Sequence, residues 1–310
     1  MSPVRNEAGH IESVVAAMAA QTRPPDLWLV ADDSSEDGTA EILIRLEPTV
    51  PFMRVVEIPS TADAGTDRLA LALEAKAFNR ALGEIDWGRY THLGKVDGDI
   101  ALPEDYFERL LRAFEIEPRL GITGGSIVEP GRAGRWTQIG APEYHVHGAL
   151  KLYSLDCFRA VGGVQERLGW DTIDETYARM RGYATRRQTD LVARHHRPGA
   201  SGGGRLRGRA RHGRCAYIAR YGFLWTFLRS FKVGVTCRPR GLSGLAFLCG
   251  YVGAALGRAQ MVQDGEFKAF VRRELRGRLR SAVHLARATR PDRRDQDPAP
   301  HPGGPQVRNG

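Results

Sequence analysis

The sequence predicts an α/β fold, a sheet covered on both faces by helices, followed by a helical, basic C-terminal extension. Three observations predict it. Short apolar runs alternate with amphipathic stretches over the first half of the chain. Acidic clusters, Asp32-Asp33 and Asp97-Gly98-Asp99, stand directly after two of the runs. The last third changes character, to Arg-rich and then to charge-free segments. Alternation of strands and helices indicates a parallel sheet, and ligands bind such sheets beyond the carboxyl ends of the strands.

The elements follow in order. Ile11, Val14, Val15 and Met18 recur at helical spacing within His10–Ala20. Leu27-Trp28-Leu29-Val30-Ala31 lies between Pro24-Pro25 and Asp32-Asp33 and reads as a buried strand. Thr39–Leu46 is helical, Phe52–Ile58 a strand, and Leu69–Leu82 a helix. Tyr90–Lys95 is a strand ending at Asp97-Gly98-Asp99. Pro103–Phe114 is a helix whose first turn suits Pro103 and Glu104. Gly121–Val128 is a strand, and His147–Phe158 runs from a strand into a short helix. Leu191-Val192-Ala193 is strand-like, and Gly199–Gly204 has the composition of a mobile loop. The chain divides into an α/β domain over 1–200, a basic and helical extension over 201–289, and a Pro, Asp, Arg and Gly tail over 290–310 whose composition predicts disorder.

With 42% hydrophobic and 26% charged residues, wholesale disorder is excluded. Cys157, Cys215, Cys237 and Cys249 form no C-x-x-C pair, which argues against a zinc ribbon and for free thiols in a reducing compartment. The net charge of +9 is local: Arg186–Arg220 holds ten Arg, no Lys, and Asp190 as its only acid. A uniformly basic, histone-like protein is therefore excluded, and this region either meets an anion or is a solvated Arg-rich loop. Tyr217 is its only aromatic residue, so stacking platforms for nucleic acid are lacking and no nucleic acid is expected. Gly241–Gly257 carries no charge and is flanked by Arg238, Arg240 and Arg258, with the aromatic Tyr221–Phe231 before it. It is short for a span of about 20 residues. A helix packed on the domain, an interfacial or re-entrant segment and a spanning helix are the alternatives.

Two carboxylates two residues apart, as in Asp97-Gly98-Asp99, can converge on a hard divalent cation, Mg²⁺ or Mn²⁺, or on a cation and a ribose. Alone the pattern also arises as a turn with Asx hydrogen bonds. Here it belongs to an ordered series: Pro3-Val4-Arg5-Asn6-Glu7, Asp32-Asp33-Ser34-Ser35-Glu36-Asp37-Gly38-Thr39, Lys76-Ala77-Phe78-Asn79, Asp97-Gly98-Asp99 and Gly169-Trp170-Asp171-Thr172-Ile173-Asp174-Glu175. The series resembles glycosyltransferase family 2, the nucleotide-sugar-dependent enzymes with the GT-A fold, a Rossmann-like mixed sheet flanked by helices. The resemblance covers about Ser2 to His196.

The resemblance implies an inverting transfer from a UDP-, GDP- or dTDP-linked sugar to a glycan or lipid-linked acceptor, in envelope or extracellular polysaccharide synthesis. It implies that Pro3, Asn6, Glu7 and Lys76 hold the nucleotide, that Asp32 or Asp33 bonds the base, that Asp97 reaches the ribose or the metal, and that Asp99 and His196 ligate the metal. Asp174-Glu175 stands where the family has an acidic pair, either of which would be the base, with position favouring Glu175. Trp170 would stack on the acceptor sugar or belong to the core. The Arg197–Arg214 segment is expected to be a flexible loop closing over the diphosphate. Members carry an apolar strand before the Pro-x-x-Asn-Glu block; only Met1-Ser2 precede it here, so the first strand is expected to be missing and a start upstream of Met1 is favoured. The basic, aromatic C-terminal part suggests a cytoplasmic protein held peripherally at the membrane. Transfer to a polyprenyl phosphate, or nucleotide-sugar binding without turnover, are the alternatives.

Overall fold

The computed structural model describes residues 1–59, 67–131, 135–197 and 204–288, with side chains to residue 281. The tail expected to be disordered and most of the Gly199–Gly204 loop lie outside these residues.

Three parallel strands open the fold: β1 (Ser2–Val4), β2 (Trp28–Asp32) and β3 (Met53–Glu57), with β1 and β3 on either side of β2. The strand expected to be missing is thus present as three residues. Helices α1 (Ile11–Ala19) and α2 (Thr39–Leu46) connect them. α3 is shorter than expected, Leu73–Leu82, because Ala72 takes a left-handed φ of 50° and a turn precedes it. β4 (His92–Val96) joins β1 edge to edge: the Met1 ammonium donates to the Gly94 carbonyl (2.8 Å) and Val96 N–H to the Met1 carbonyl (3.0 Å), the pattern of a parallel pair.

Beyond β4 the sheet becomes mixed. β5 (Ile100–Ala101), α4 (Tyr106–Ile116), β6 (Leu120–Pro130), β7 (Trp136–Gln138), β8 (Leu150–Ser154), α5 (Leu155–Val161), α6 (Trp170–Met180) and β9 (Ala184–His195) follow in sequence. In space the order is β4-β8-β6-β9-β5, with β8 antiparallel to β4 and β6, and β9 parallel to β6. Side-chain alternation decides the layers. Trp28 and Val30 face α1, α2 and α4, while Leu29 and Ala31 face the opposite side with Ile58 and Ala81. Leu93, Ile122 and Tyr153 likewise pack against α3, α5 and α6.

The described part of the Arg-rich region is not the flexible loop expected over Arg197–Arg214. Its first part completes β9, and from Arg205 it forms α7 (Arg205–Ile218). α8 (Phe223–Thr236), α9 (Leu242–Leu256) and α10 (Gly265–Ala288) complete the described residues. They are fixed to the domain through Ile173 of α6, Ala216, Ile218, Phe247, Phe267 and Val271, and through Arg179–Glu274 (2.7 Å). Among the described residues, no helix is long and apolar enough to cross a membrane.

Candidate active site

The parallel strands β2, β1 and β4 deliver their carboxyl ends side by side, so three acidic segments meet at one edge. After β1, Arg5 turns its guanidinium onto the Asp33 and Ser34 carbonyls (both 2.6 Å) and onto Glu36 (2.8 Å). Asn6 sits at φ 56°, a conformation asparagine tolerates, and its side-chain Oδ1 accepts Glu36 N–H at 2.9 Å. Glu7 N–H donates to Thr39 Oγ1 (2.8 Å). The turn after β4 lies against β1. A Cβ on Gly98 would meet Val4 Cγ1 at 2.4 Å, so only glycine lets Asp97 and Asp99 approach this closely.

The carboxylates differ in what they hold. Asp32 is tied into its own turn, accepting the Ser35 hydroxyl and Ser35 N–H. Asp33 pairs with Arg68, and burial lifts its carboxyl above the ordinary range against the pull of that guanidinium. Asp97 pairs with Lys95, a lysine 1% exposed. Burial raises Asp97 too, with Lys95 opposing. Asp99 meets His195 Nε2 at 3.1 Å and Arg197 Nε at 3.2 Å. Arg197 also pairs with Glu7, whose second oxygen is buried without a hydrogen-bond partner among the described residues. Burial alone would lower His195, but Asp99 and Glu129 prevail and push it up to about 10.

His196, expected to face the metal, does not turn its ring to Asp99. It gives its backbone N–H to the Asp99 carbonyl (2.9 Å), and its ring stacks on His10 at 5.1 Å. The neighbouring His195 takes the side-chain contact, because alternation along β9 points it inward. Among the described residues, no cluster of three or more His, Cys, Asp or Glu side chains stands ready-made around a cation site. The donor set of Asp97 and Asp99, together with the orphaned Glu7 oxygen, nevertheless has the hard-oxygen chemistry of Mg²⁺ or Mn²⁺, which usually complete their shells with water and phosphate oxygens.

The second half of the site is built by α6. Asp174 and Glu175, expected to include the base, lie below the surface, 2% and 1% exposed. Lys151, on β8 and equally buried, bonds Asp174 at 2.8 and 3.0 Å and lies 3.4 Å from Glu175. Tyr153 donates its hydroxyl to Asp174 (2.5 Å). Glu175 accepts Val146 N–H at 2.7 Å and faces His145 Nδ1 at 3.1 Å. Burial raises Asp174, with Lys151 opposing; for Glu175 burial is outweighed by Lys151 and His145, which hold it below the ordinary carboxylate range. The pair is a strut that ties α6 to β8.

Asp171, one turn earlier, is the acid that remains partly open. It lies in the first turn of α6, where the helix dipole favours negative charge. It packs on Gly148, where a Cβ would stand 2.9 Å from its own. The Gly148 carbonyl accepts Lys95 Nζ (3.2 Å), and Lys95 holds Asp97, so Asp171 borders the Asp97 turn. Trp170 is buried in the core rather than open for stacking. Its indole N–H donates to Glu74 (3.2 Å), and its ring has Lys95 and Lys151 within 5.3 and 5.4 Å. Lys76 is half-buried on α3, and the same helix anchors Asn79 to the Val164 carbonyl (2.8 Å). Pro3 lies within β1.

Sequence reasoning passed over Lys95, Lys151 and Asp171. A lone lysine inside an apolar strand, as in Leu150–Ser154, was the available signal for Lys151; Asp171 stood in the motif without a role.

The glycosyl transferase family 2 profile matches residues 1–159. The succinoglycan biosynthesis protein ExoA of Rhizobium meliloti (strain 1021) is 28% identical over 191 residues, 53% of this chain and 52% of that protein. The match thus spans about half the length of that curated relative. Among solved structures, mannosyltransferase PcManGT from Pyrobaculum calidifontis, in complex with GDP-Man and Mn²⁺, aligns with a TM-score of 0.52 and 18% identity over 92% of this chain and 79% of that one. TarS of S. aureus aligns with a TM-score of 0.50 and 15% identity over 93% of this chain and 52% of its own. At these identities the two structures speak for the fold.

Proposed function

The chain belongs to glycosyltransferase family 2 and has its GT-A fold, and on that premise we propose that it moves a sugar, with inversion, from a nucleoside diphosphate to a hydroxyl of a glycan or lipid-linked acceptor in polysaccharide synthesis. The observation that carries the proposal is that Asp33, Asp97 and Asp99 follow neighbouring strand ends at one sheet edge, with Asp171 linked to the Asp97 turn through Gly148 and Lys95.

In this reading Asn6, Glu7 and the Asp32-Asp33 turn form the nucleoside end of the pocket. Asp97 and Asp99 are the residues that would hold Mg²⁺ or Mn²⁺, and such an ion would supply positive charge to offset that of a departing diphosphate. Asp171 takes the proton of the acceptor hydroxyl as that oxygen bonds the anomeric carbon and the bond to the nucleoside diphosphate breaks. A base must reach the proton it removes, which Asp171 can do and the buried Asp174 and Glu175 cannot. Lys95 fixes Asp97 and, through Gly148, its spacing from Asp171. A partly open carboxylate in this place favours a hydroxyl over a polyprenyl phosphate, whose oxygen is already an anion.

The test is calorimetric titration with UDP, GDP, dTDP and CDP, with and without Mn²⁺, beside Asp99→Ala. Metal-dependent binding of one nucleotide, lost in Asp99→Ala, is expected and selects the donor for turnover assays. Absence of binding to all four would overturn the reading.

A further inference from the structure

Helices α8 and α9 carry their side chains the reverse of a helix pair in water. α8 buries Thr226 and Ser230; α9 buries Ser243, Gly244, Phe247 and Ala254. The large apolar residues point outward. Leu224, Phe227, Leu228, Phe231 and Val235 recur at helical spacing along one face of α8 and are exposed, Phe231 at 72%. Leu242, Leu245, Val252 and Leu256 do the same on α9, Leu256 at 81%.

The helices meet through small residues instead. A Cβ on Gly250 would stand 1.9 Å from the Ala210 carbonyl oxygen of α7, and one on Gly244 2.3 Å from the Ser230 carbonyl oxygen of α8. Backbone-close packing through Gly and Ser is how helices associate where the surroundings are as apolar as their own Leu and Phe.

Charge selects the occupant of the outward faces. Arg229 and Lys232 border the apolar stripe of α8, Arg238 and Arg240 lie at the α8–α9 turn, and Arg258 follows α9; all are exposed. No Asp or Glu occurs between Asp190 and Asp264. A second copy would oppose like charges across the contact, whereas anionic headgroups complement them. At 15 residues α9 is about 22 Å long, too short for a hydrocarbon core of about 30 Å.

We propose that the α8–α9 hairpin is a membrane-docking element that sits in one leaflet of an anionic bilayer. Its Leu and Phe faces lie at the acyl boundary, and the flanking cations lie at the headgroup phosphates. The assignment goes beyond the transfer reading and does not depend on it, since the donor-site residues stand on other elements.

Flotation of the full chain with vesicles tests it, using phosphatidylcholine alone and phosphatidylcholine with phosphatidylglycerol, at low and high salt. The chain should float with the anionic vesicles, less so at high salt. Phe231→Ser with Leu245→Ser should lower partitioning about tenfold or more. Arg238→Ser with Arg240→Ser should lower it about tenfold on anionic vesicles and leave neutral vesicles unaffected. Both pairs change exposed side chains, so the circular-dichroism melt should stay in place. Three results overturn the proposal: no flotation with either vesicle, flotation insensitive to both pairs, or a soluble dimer that Leu245→Ser dissociates without any vesicle effect.

Discussion

Asp171 and Asp174 lie one helical turn apart on α6, yet the fold gives them opposite surroundings. Asp174 shares Lys151 with Glu175 below the surface, where a charge is tolerated only with its partners in place. Lys151→Met should therefore cost about 3–5 kcal/mol of stability, read from denaturant midpoints, because it leaves two buried carboxylates without their cation. Asp171→Asn should behave differently. It should leave the melt and nucleotide binding near wild type while lowering transfer by about 10²–10⁴-fold, the usual worth of a general base; equal loss of binding and transfer would remove Asp171 from the chemistry. The histidines beside this pair set a pH dependence. Burial, with His145 beside it, lowers His147 to about 4. Below its ordinary value of about 6.5 the unfolded chain takes up that proton and the folded one does not, so stability falls as pH drops from about 6.5 to 4. His145 is raised, Glu175 outweighing its burial, and so contributes stability that is full below about 6.5 and lost as pH rises through its folded value. Thermal melts should show His147→Gln reducing the loss between about pH 6.5 and 4, and His145→Gln removing stability that the unsubstituted chain keeps below about 6.5 and loses as pH rises above it.

Among the elements, the parallel strands and their helices were legible because alternation and 3.6-residue spacing are local properties. β2 shows it: a run bounded by Pro24-Pro25 and Asp32-Asp33 became a strand buried at every position. α7 was not legible. Arg and Gly at its alternate positions give no apolar stripe, and it is helical because α9 packs its backbone against it. A Cβ on Gly213 would stand 1.8 Å from the Phe247 carbonyl oxygen, so no larger residue fits without parting the helices. Gly250→Ala, at the reciprocal position, should cost about 1–3 kcal/mol by forcing the same separation. Chemical denaturation with a probe on Trp225 of α8 would read it. No change in midpoint would mean that the α7–α9 contact is looser than described. β9 was seen only at Leu191-Val192-Ala193 because the rest of it alternates Arg, Thr and Gln, residues whose inward members are satisfied by partners distant in sequence, such as Arg187 on the Ala141 carbonyl at 2.7 Å.

Across the whole molecule, stability should be uneven in a defined way. The central strands β2 and β6 have both faces covered, whereas α8 buries only a polar seam. Amide hydrogen exchange in solution should be slowest in Trp28–Asp32 and Leu120–Ile127 and fastest, among the described helices, in α8. Anionic vesicles should slow exchange in α8 and α9 and leave β2 and β6 unchanged. Uniform protection along the chain would contradict this layering.

The sequence by itself determined the α/β class, the acidic segments at the strand ends and the family resemblance, since each rests on residues near one another in the chain. Only the tertiary structure decided which carboxylates are buried and which lie partly open. Asp174 and Glu175 carry the same chemistry as Asp171 in one dimension. It is burial beside Lys151, which β8 brings to α6 from elsewhere in the chain, that turns the pair into a strut and leaves Asp171 at the open edge. The same reason separates His195 from His196: adjacent residues on a strand face opposite sides, and only the packed sheet fixes which side holds Asp99.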